Sequence, residues 1–342
     1  MRKLLSIVVV LLICAMVSVY AEETHVYWES EAFPYKSPQR NRIWVADVET
    51  GEIIKYYDTD KYVIDSDDPT GICYYERDRA DANLITIGYY ADGQFRKECQ
   101  LSVRGSKDIN GYFRNTLYYS TYDDTSDEYY PANLRIMTKD GEDLQWEKET
   151  GSFVTIRNIS DKGAAVSYEG IICFDDDRES YSLYDYLPDG FYWDSSERLS
   201  VFSWSREGEL YIWLKELRDL NRVFIEGFFG IDRCYLFKVN VDERTITPVT
   251  SKDGNPISIP YTNVFVDMSF NADQTKLLLW ANLEKGIIGI DWYQSANAFT
   301  GSGANLILVD LETGEYKVIL QNPWDREAKT NYLLTGHVGF VP

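Results

Sequence analysis

Histidine is almost missing from this chain of 342 residues, which holds only His25 and His337. Nucleophilic catalysis of the Ser-His-acid kind needs an imidazole base, and catalytic metal centres commonly draw on several histidines, so both classes are disfavoured. No G-x-S-x-G elbow occurs either, which argues against a serine hydrolase built on that turn. His25 lies close to the expected mature start, and His337 sits in Thr-Gly-His-Val-Gly, where a structural role is the favoured reading. Positive charge is scarce as well: 34 Lys and Arg face 55 Asp and Glu, a net charge of -21. Such a surface repels polyanions, which excludes nucleic acid and anionic membrane as expected partners. Five cysteines are present, none at the close spacing of a structural zinc site. No Ser/Gly/Pro-rich linker divides the chain. Beyond residue 21 no stretch is long and apolar enough to span a bilayer.

Aromatic residues are abundant. Twenty-seven Tyr, fifteen Phe and nine Trp suit the pleated, half-buried surface of a sheet, while long helical periods of Ala, Leu, Glu and Lys do not occur. The expected fold class is all-β, in one domain. Arg2 and Lys3 followed by an apolar run and Val19-Tyr20-Ala21 have the shape of a signal peptide. Residues 1–21 are therefore expected to be removed after Ala21, leaving a domain over 22–342 that is exported to the periplasm or the cell exterior and has no membrane span. A retained membrane anchor is the minor alternative. Cys73, Cys99, Cys173 and Cys234 then remain, an even number that permits two disulfides without requiring them.

Internal repeats organise the rest. Residues 268–281, MSFNADQTKLLLWA, read as strand, tight turn and strand, and 306–315, LILVDLETGE, as a strand entering a second turn. Segment 42–52, RIWVADVETGE, aligns Asp47 with Asp310 and Thr50-Gly51 with Thr313-Gly314. Segment 235–245 places Asn240 at the Asp position and Arg244 at the glycine. Segment 202–214, FSWSREGELYIWL, lays Ser203-Trp204-Ser205 over Ser269-Phe270-Asn271 and Glu207-Gly208 over Asp273-Gln274. Asp and Thr side chains that bond nearby backbone, followed by Gly at positive φ, mark hairpin turns, so these acids are read as turn formers rather than ligands.

These segments resemble the TolB-type, WD-like β-propeller repeat, with an SWSPDGK-like inner turn and an LYVVDLETGE-like outer hairpin. The proline before the acidic residue is missing, with Arg206 and Ala272 in its place. The resemblance implies a single β-propeller. Strand counting gives six units, near 24–58, 61–104, 111–150, 152–193, 197–250 and 261–322, with seven as the alternative. The opening strand VYWE matches the second strand of a unit. The C-terminal segment LLTGHVGFVP is therefore expected to supply the missing first strand and close the ring, hiding two bare sheet edges.

Function is expected in the loops. The long insert 285–303 carries Trp292, Tyr293, Asn297 and Phe299, flat and polar groups suited to a peptide or sugar ring, and loops of this length are commonly functional. The tyrosine pairs Tyr74-Tyr75, Tyr89-Tyr90, Tyr118-Tyr119 and Tyr129-Tyr130, like Trp193, are expected mostly to pack between units. Acidic loops with Asp65, Asp67, Asp175 and Asp177 are weak Ca²⁺ candidates, and no other cofactor is expected. The expected function is that of a monomeric, non-enzymatic binder of a protein, peptide or glycan. The alternative is a carbohydrate-active enzyme with a carboxylate pair at the mouth of the ring.

Overall fold

The computed structural model describes residues 24–31, 41–66, 71–91, 94–122, 131–143, 148–152, 156–160, 164–167, 170–173, 179–193, 202–205, 207–216, 233–260, 265–282, 304–321 and 334–341. Regular structure among them is β, apart from one 3-10 turn at Leu183–Tyr186, and no α-helix occurs among the described residues. The strands form six sheets, met in chain order. In the first, Leu334–Val341 comes from the far end of the chain and pairs with His25–Glu31, followed by Asn41–Asp47 and Ile53–Thr59. The second runs Tyr62–Val63, Ile72–Arg77, Leu84–Ala91 and Gln94–Ser102. Ser106–Phe113, Thr116–Tyr122, Pro131–Thr138 and Lys148–Ser152 make the third. The fourth is Ile156–Ser160, Ala164–Ser167, Gly170–Cys173 and Tyr181–Ser182. Phe202–Trp204, Leu210–Glu216, Arg233–Asn240 and Thr245–Pro248 form the spine of the fifth. The sixth is Phe265–Phe270, Lys276–Asn282, Ala304–Asp310 and Tyr316–Gln321.

The four strands named for each sheet form an antiparallel meander, and the leading strands of the third, fourth, fifth, sixth and first sheets neighbour one another in turn, as at the hub of a propeller. Strand alternation explains why these sheets stack. In Lys276–Asn282, Leu277, Leu279 and Ala281 pack toward the fifth sheet, while Leu278 and Trp280 pack toward the first. The strand is thus buried on both faces and reads as a continuous apolar run, each large side chain contributing roughly 1.5–3 kcal/mol on burial.

Five apolar clusters fill the spaces between the sixth and first, first and second, second and third, fourth and fifth, and fifth and sixth sheets. Between the third and fourth, Ser106–Phe113 and Ile156–Ser160 lie side by side, with the side chains of 156–160 outside the described residues. The expected six equivalent units are therefore met in part: the described apolar joints number five, and the sheets are unequal.

The repeated turns are built as their residues require. Asp47 Oδ1 accepts from the Glu49 and Thr50 N–H groups at 3.0 and 2.7 Å, and Thr50 Oγ1 accepts from Glu52 N at 3.2 Å. Asp310 and Thr313 repeat the pattern at 2.9, 2.8 and 3.2 Å. Asn240 does the same with Asp242 and Glu243 at 3.1 and 3.0 Å, and Arg244 adopts φ 55° where the other copies place Gly51 and Gly314. At the inner turns, Gly208 and Gln274 share positive φ, 75° and 58°. Each outer turn leans on the sheet before it. Arg244 donates to Tyr186 Oη at 3.3 Å, Lys252 N donates to Glu312 O at 2.9 Å, and Lys317 Nζ reaches Glu49 at 2.7 Å.

Three details depart from expectation. Residues 181–186, within the fourth expected unit, form a two-residue strand followed by the 3-10 turn rather than a full strand, because Ser182 Oγ caps Tyr184 N at 3.3 Å and turns the chain. Phe191–Tyr192, assigned to the fourth unit, pairs instead with Lys215 and Glu216 of the fifth sheet, and the adjoining Trp193 is fully buried in the core between the two. Asp65–Ser66, expected within the second unit, adds in parallel to Ser106–Phe113 of the third sheet.

Candidate functional site

The alternation that sends Val26 and Trp28 toward the sixth sheet sends Tyr27 and Glu29 to the opposite face. On the paired C-terminal strand, Val338 and Phe340 share the first face, so His337 and Gly339 belong to the second. Gly339 leaves room for the Tyr27 ring: a Cβ there would stand 2.5 Å from Tyr27 Cε1. Two acids complete the group. Asp65, on the short strand that joins the third sheet, places Oδ1 3.2 Å from His337 Nδ1. Asp267, on the leading strand of the sixth sheet, places Oδ2 3.9 Å from the same nitrogen and accepts the Val338 N–H at 2.8 Å. The side chains of His337, Asp65 and Asp267 keep 29, 32 and 22% of their surface, whereas Glu29 is 4% exposed.

Burial and charge pull these groups in opposite directions. Burial works against a charged imidazole, but Asp65, by charge and hydrogen bond, and then Asp267 and Glu29 more than offset it and hold His337 up to about 10. Burial raises Glu29 to about 7, against the lowering effects of His337 and of a hydrogen bond from the Val63 backbone. Burial likewise raises Asp267, opposed by His337 and aided by Asp65. Tyr27 is raised by burial and by the surrounding acids. The result is an imidazolium among carboxyl groups, two of which retain protons toward neutrality. Ionisable groups perturbed in this way concentrate at functional sites.

The structure brings only some of the sequence candidates here. Asp65 turns its carboxylate to His337, while Asp67, Asp175 and Asp177 lie outside the described residues. So do Trp292, Tyr293, Asn297 and Phe299. Among the described residues no group of three or more His, Cys, Asp or Glu is placed to hold a metal ion. Cys73, Cys99, Cys173 and Cys234 form no disulfide with one another. Tyr119 and Trp193 are buried in apolar joints between sheets, and Tyr74 and Tyr118 are buried against Phe95 and Phe113 of their own sheets. Exposed aromatic surface occurs instead at Tyr56, 54% exposed, whose ring lies 4.9 Å from Trp44 and 4.3 Å beneath the Arg42 guanidinium. Glu29 and Asp267 were not singled out from sequence. The available signal was an acid set among apolar and aromatic strand residues, in VYWE and VFVDMSF.

No family model and no curated protein sequence matches the chain. Among solved structures it is similar to the periplasmic gluconolactonase PpgL of Pseudomonas aeruginosa, with TM-score 0.47 and 10% identity over 93% of this chain and 99% of that one. It is also similar to a functionally unknown protein from Desulfotomaculum acetoxidans, with TM-score 0.41 and 11% identity over 93% and 99%. A third is the β-propeller domain of the trilobed protease from Pyrococcus furiosus, with TM-score 0.38 and 12% identity over 86% and 79%. Identities of this size carry nothing about activity.

Proposed function

We propose that the chain is an exported, monomeric, six-bladed β-propeller of TolB-type repeats, its ring completed by Leu334–Val341, that binds a protein, peptide or glycan through loops on one face without transforming it. The ring is supported by the way its turns dock: the first sheet leans on the sixth as the sixth leans on the fifth and the fifth on the fourth. Export is supported by the basic start, apolar run and Val19-Tyr20-Ala21 of the sequence.

The observation that carries binding over turnover is the state of His337. Asp65 and Asp267 flank it at one nitrogen, and a base held protonated cannot accept a proton from substrate at neutral pH. The ligand platform is the loop that carries Trp292 and Tyr293. It springs from the end where Asn282 pairs with Ala304, two residues past Trp280, the strand partner of Asp267. The loop is thus rooted at the end of the sixth sheet nearest the His337 cluster.

Glycan and peptide arrays, probed with and without EDTA, test this reading. Binding is expected to survive Asp267→Asn and to be lost in the Trp292→Ala/Tyr293→Ala double variant, with the captured ligand recovered chemically intact. One observation favours the carbohydrate-active enzyme: Asp65 and Asp267 at 3.2 and 3.9 Å from one nitrogen fall inside the ~10 Å reach of a glycosidase pair. Release of a cleaved product that disappears in Asp267→Asn would replace the binding reading with that one.

A further inference from the structure

The C-terminal strand Leu334–Val341 touches three bodies. It pairs with His25–Glu31 of its own sheet, packs Val338 and Phe340 into the joint with the sixth sheet, and faces the short strand holding Asp65 through His337. Among the described residues, its polar fastenings to the neighbouring sheets lie at His337 and Val338: the His337 imidazole lies between Asp65 and Asp267, and Asp267 also accepts the Val338 N–H. We propose that the His337 imidazolium is a clasp holding this strand against its neighbours, and that loss of its proton frees the strand locally while the rest of the protein stays folded.

The groups that face His337 make the clasp one-directional. Asp65 comes from the short parallel strand, Asp267 from the leading strand of the sixth sheet, and Glu29 and Tyr27 from the opening strand, with Cys73 of the second sheet beyond Tyr27. Apart from His337, every titratable member of this group is an acid. Removing the imidazolium proton leaves carboxylates facing one another across a neutral ring, in a place where water screens them poorly. Removing a proton from Glu29 or Asp267 adds attraction to His337 while the imidazolium lasts. His337 is raised in the folded state, to about 10 from 6.5. Its contribution is therefore complete below the ordinary imidazole range and is lost as pH rises through about 10. The apolar contacts of Val338 and Phe340 do not titrate, so the strand opens by its edge rather than leaving with the whole sheet.

Two measurements on the full chain test this. In a His25→Gln background a single imidazole remains, and its NMR titration is expected near pH 10, moving down by at least about one unit in Asp65→Asn, where the nearest carboxylate is gone. Amide exchange, corrected for the intrinsic pH dependence, is expected to rise by about tenfold or more in 334–341 at the same midpoint, with 233–248 still protected. His337→Gln should show no such step and faster exchange of 334–341 already at pH 8. Titration of His337 near 6.5, a midpoint unmoved by Asp65→Asn, or protection of 334–341 that persists until the entire molecule unfolds would overturn the proposal.

Discussion

On one face of the paired strands His25–Glu31 and Leu334–Val341, Val26, Trp28, Val338 and Phe340 press against Leu278, Trp280, Leu306 and Leu308 of the sixth sheet. Trp28 stacks on Trp44 at 6.1 Å and lies tilted against Trp280 at 6.0 Å. On the other face, the same two strands carry Tyr27, Glu29 and His337 toward Asp65. Volume and close packing hold the first joint, and its strength does not depend on pH. Charges hold the second, and the cost of dehydrating them consumes most of their mutual attraction. The apolar joint supplies stability, whereas the ionic joint fixes where the last strand sits and makes that placement sensitive to protons.

Five substitutions sharpen or break this contrast. Trp28→Ala removes a side chain with no exposed surface and should cost about 3–5 kcal/mol by chemical denaturation, equally at pH 5 and pH 8; a pH-dependent loss would mean that the two faces are not separable. Gly51→Ala comes next. Gly51 has φ 71°, and a Cβ there would lie 1.8 Å from the Ile319 carbonyl oxygen at the rim of the apolar joint, so the turn must shift, at about 2–4 kcal/mol. The matching Gly314→Ala has only the Ser251 Cβ, 3.5 Å away, to meet, and should cost about 1 kcal/mol from φ alone.

On the ionic face, His337→Gln should destabilise by about 2 kcal/mol at pH 8, less than the ~3–5 kcal/mol of a fully buried pair, because its partners keep a fifth to a third of their surface. Denaturation midpoints compared at several pH values should show this loss largest below the ordinary imidazole range and shrinking as pH rises through about 10. Glu29→Gln is expected to do the reverse. A carboxyl raised from 4.5 to about 7 contributes stability below its unfolded value and loses it as pH rises through 7. The neutral amide should therefore match wild type near pH 4 and exceed it by about 1–2 kcal/mol at pH 8. Equal stability at both pH values would remove Glu29 from the cluster.

How far each feature could be read from the sequence follows from how local its causes are. The turns at Asp47, Asn240 and Asp310 were legible because each side chain bonds backbone two or three residues away. Even Arg244, in the glycine position of the alignment, takes the positive φ that the position imposes. Within the fourth unit the last strand is cut to two residues because Ser182 offers a cap that competes with the ladder, a competition that strand counting does not register. Phe191–Tyr192 was placed with the wrong sheet because its partners, Lys215 and Glu216, are more than twenty residues away and bear no repeat signature. His337 read as structural from its glycine-flanked strand, and nothing near it in the chain indicated that carboxylates from three other strands would surround it.

The sequence by itself determined the all-β class, the repeated hairpins and the alternation that gives each strand two working faces, since all three arise from dihedral preferences and contacts within a few residues. Tertiary structure alone decided what those faces meet. Asp47-x-x-Thr50-Gly51 and Asp310-x-x-Thr313-Gly314 fold into the same turn, yet one glycine is wedged against Ile319 and the other stands almost free. Glu29, Asp65, Asp267 and His337 lie far apart along the chain and become a single cluster around one imidazole where its two ends pair. Electrostatic interaction depends on separation in space and on lost water, and neither is written in the order of residues.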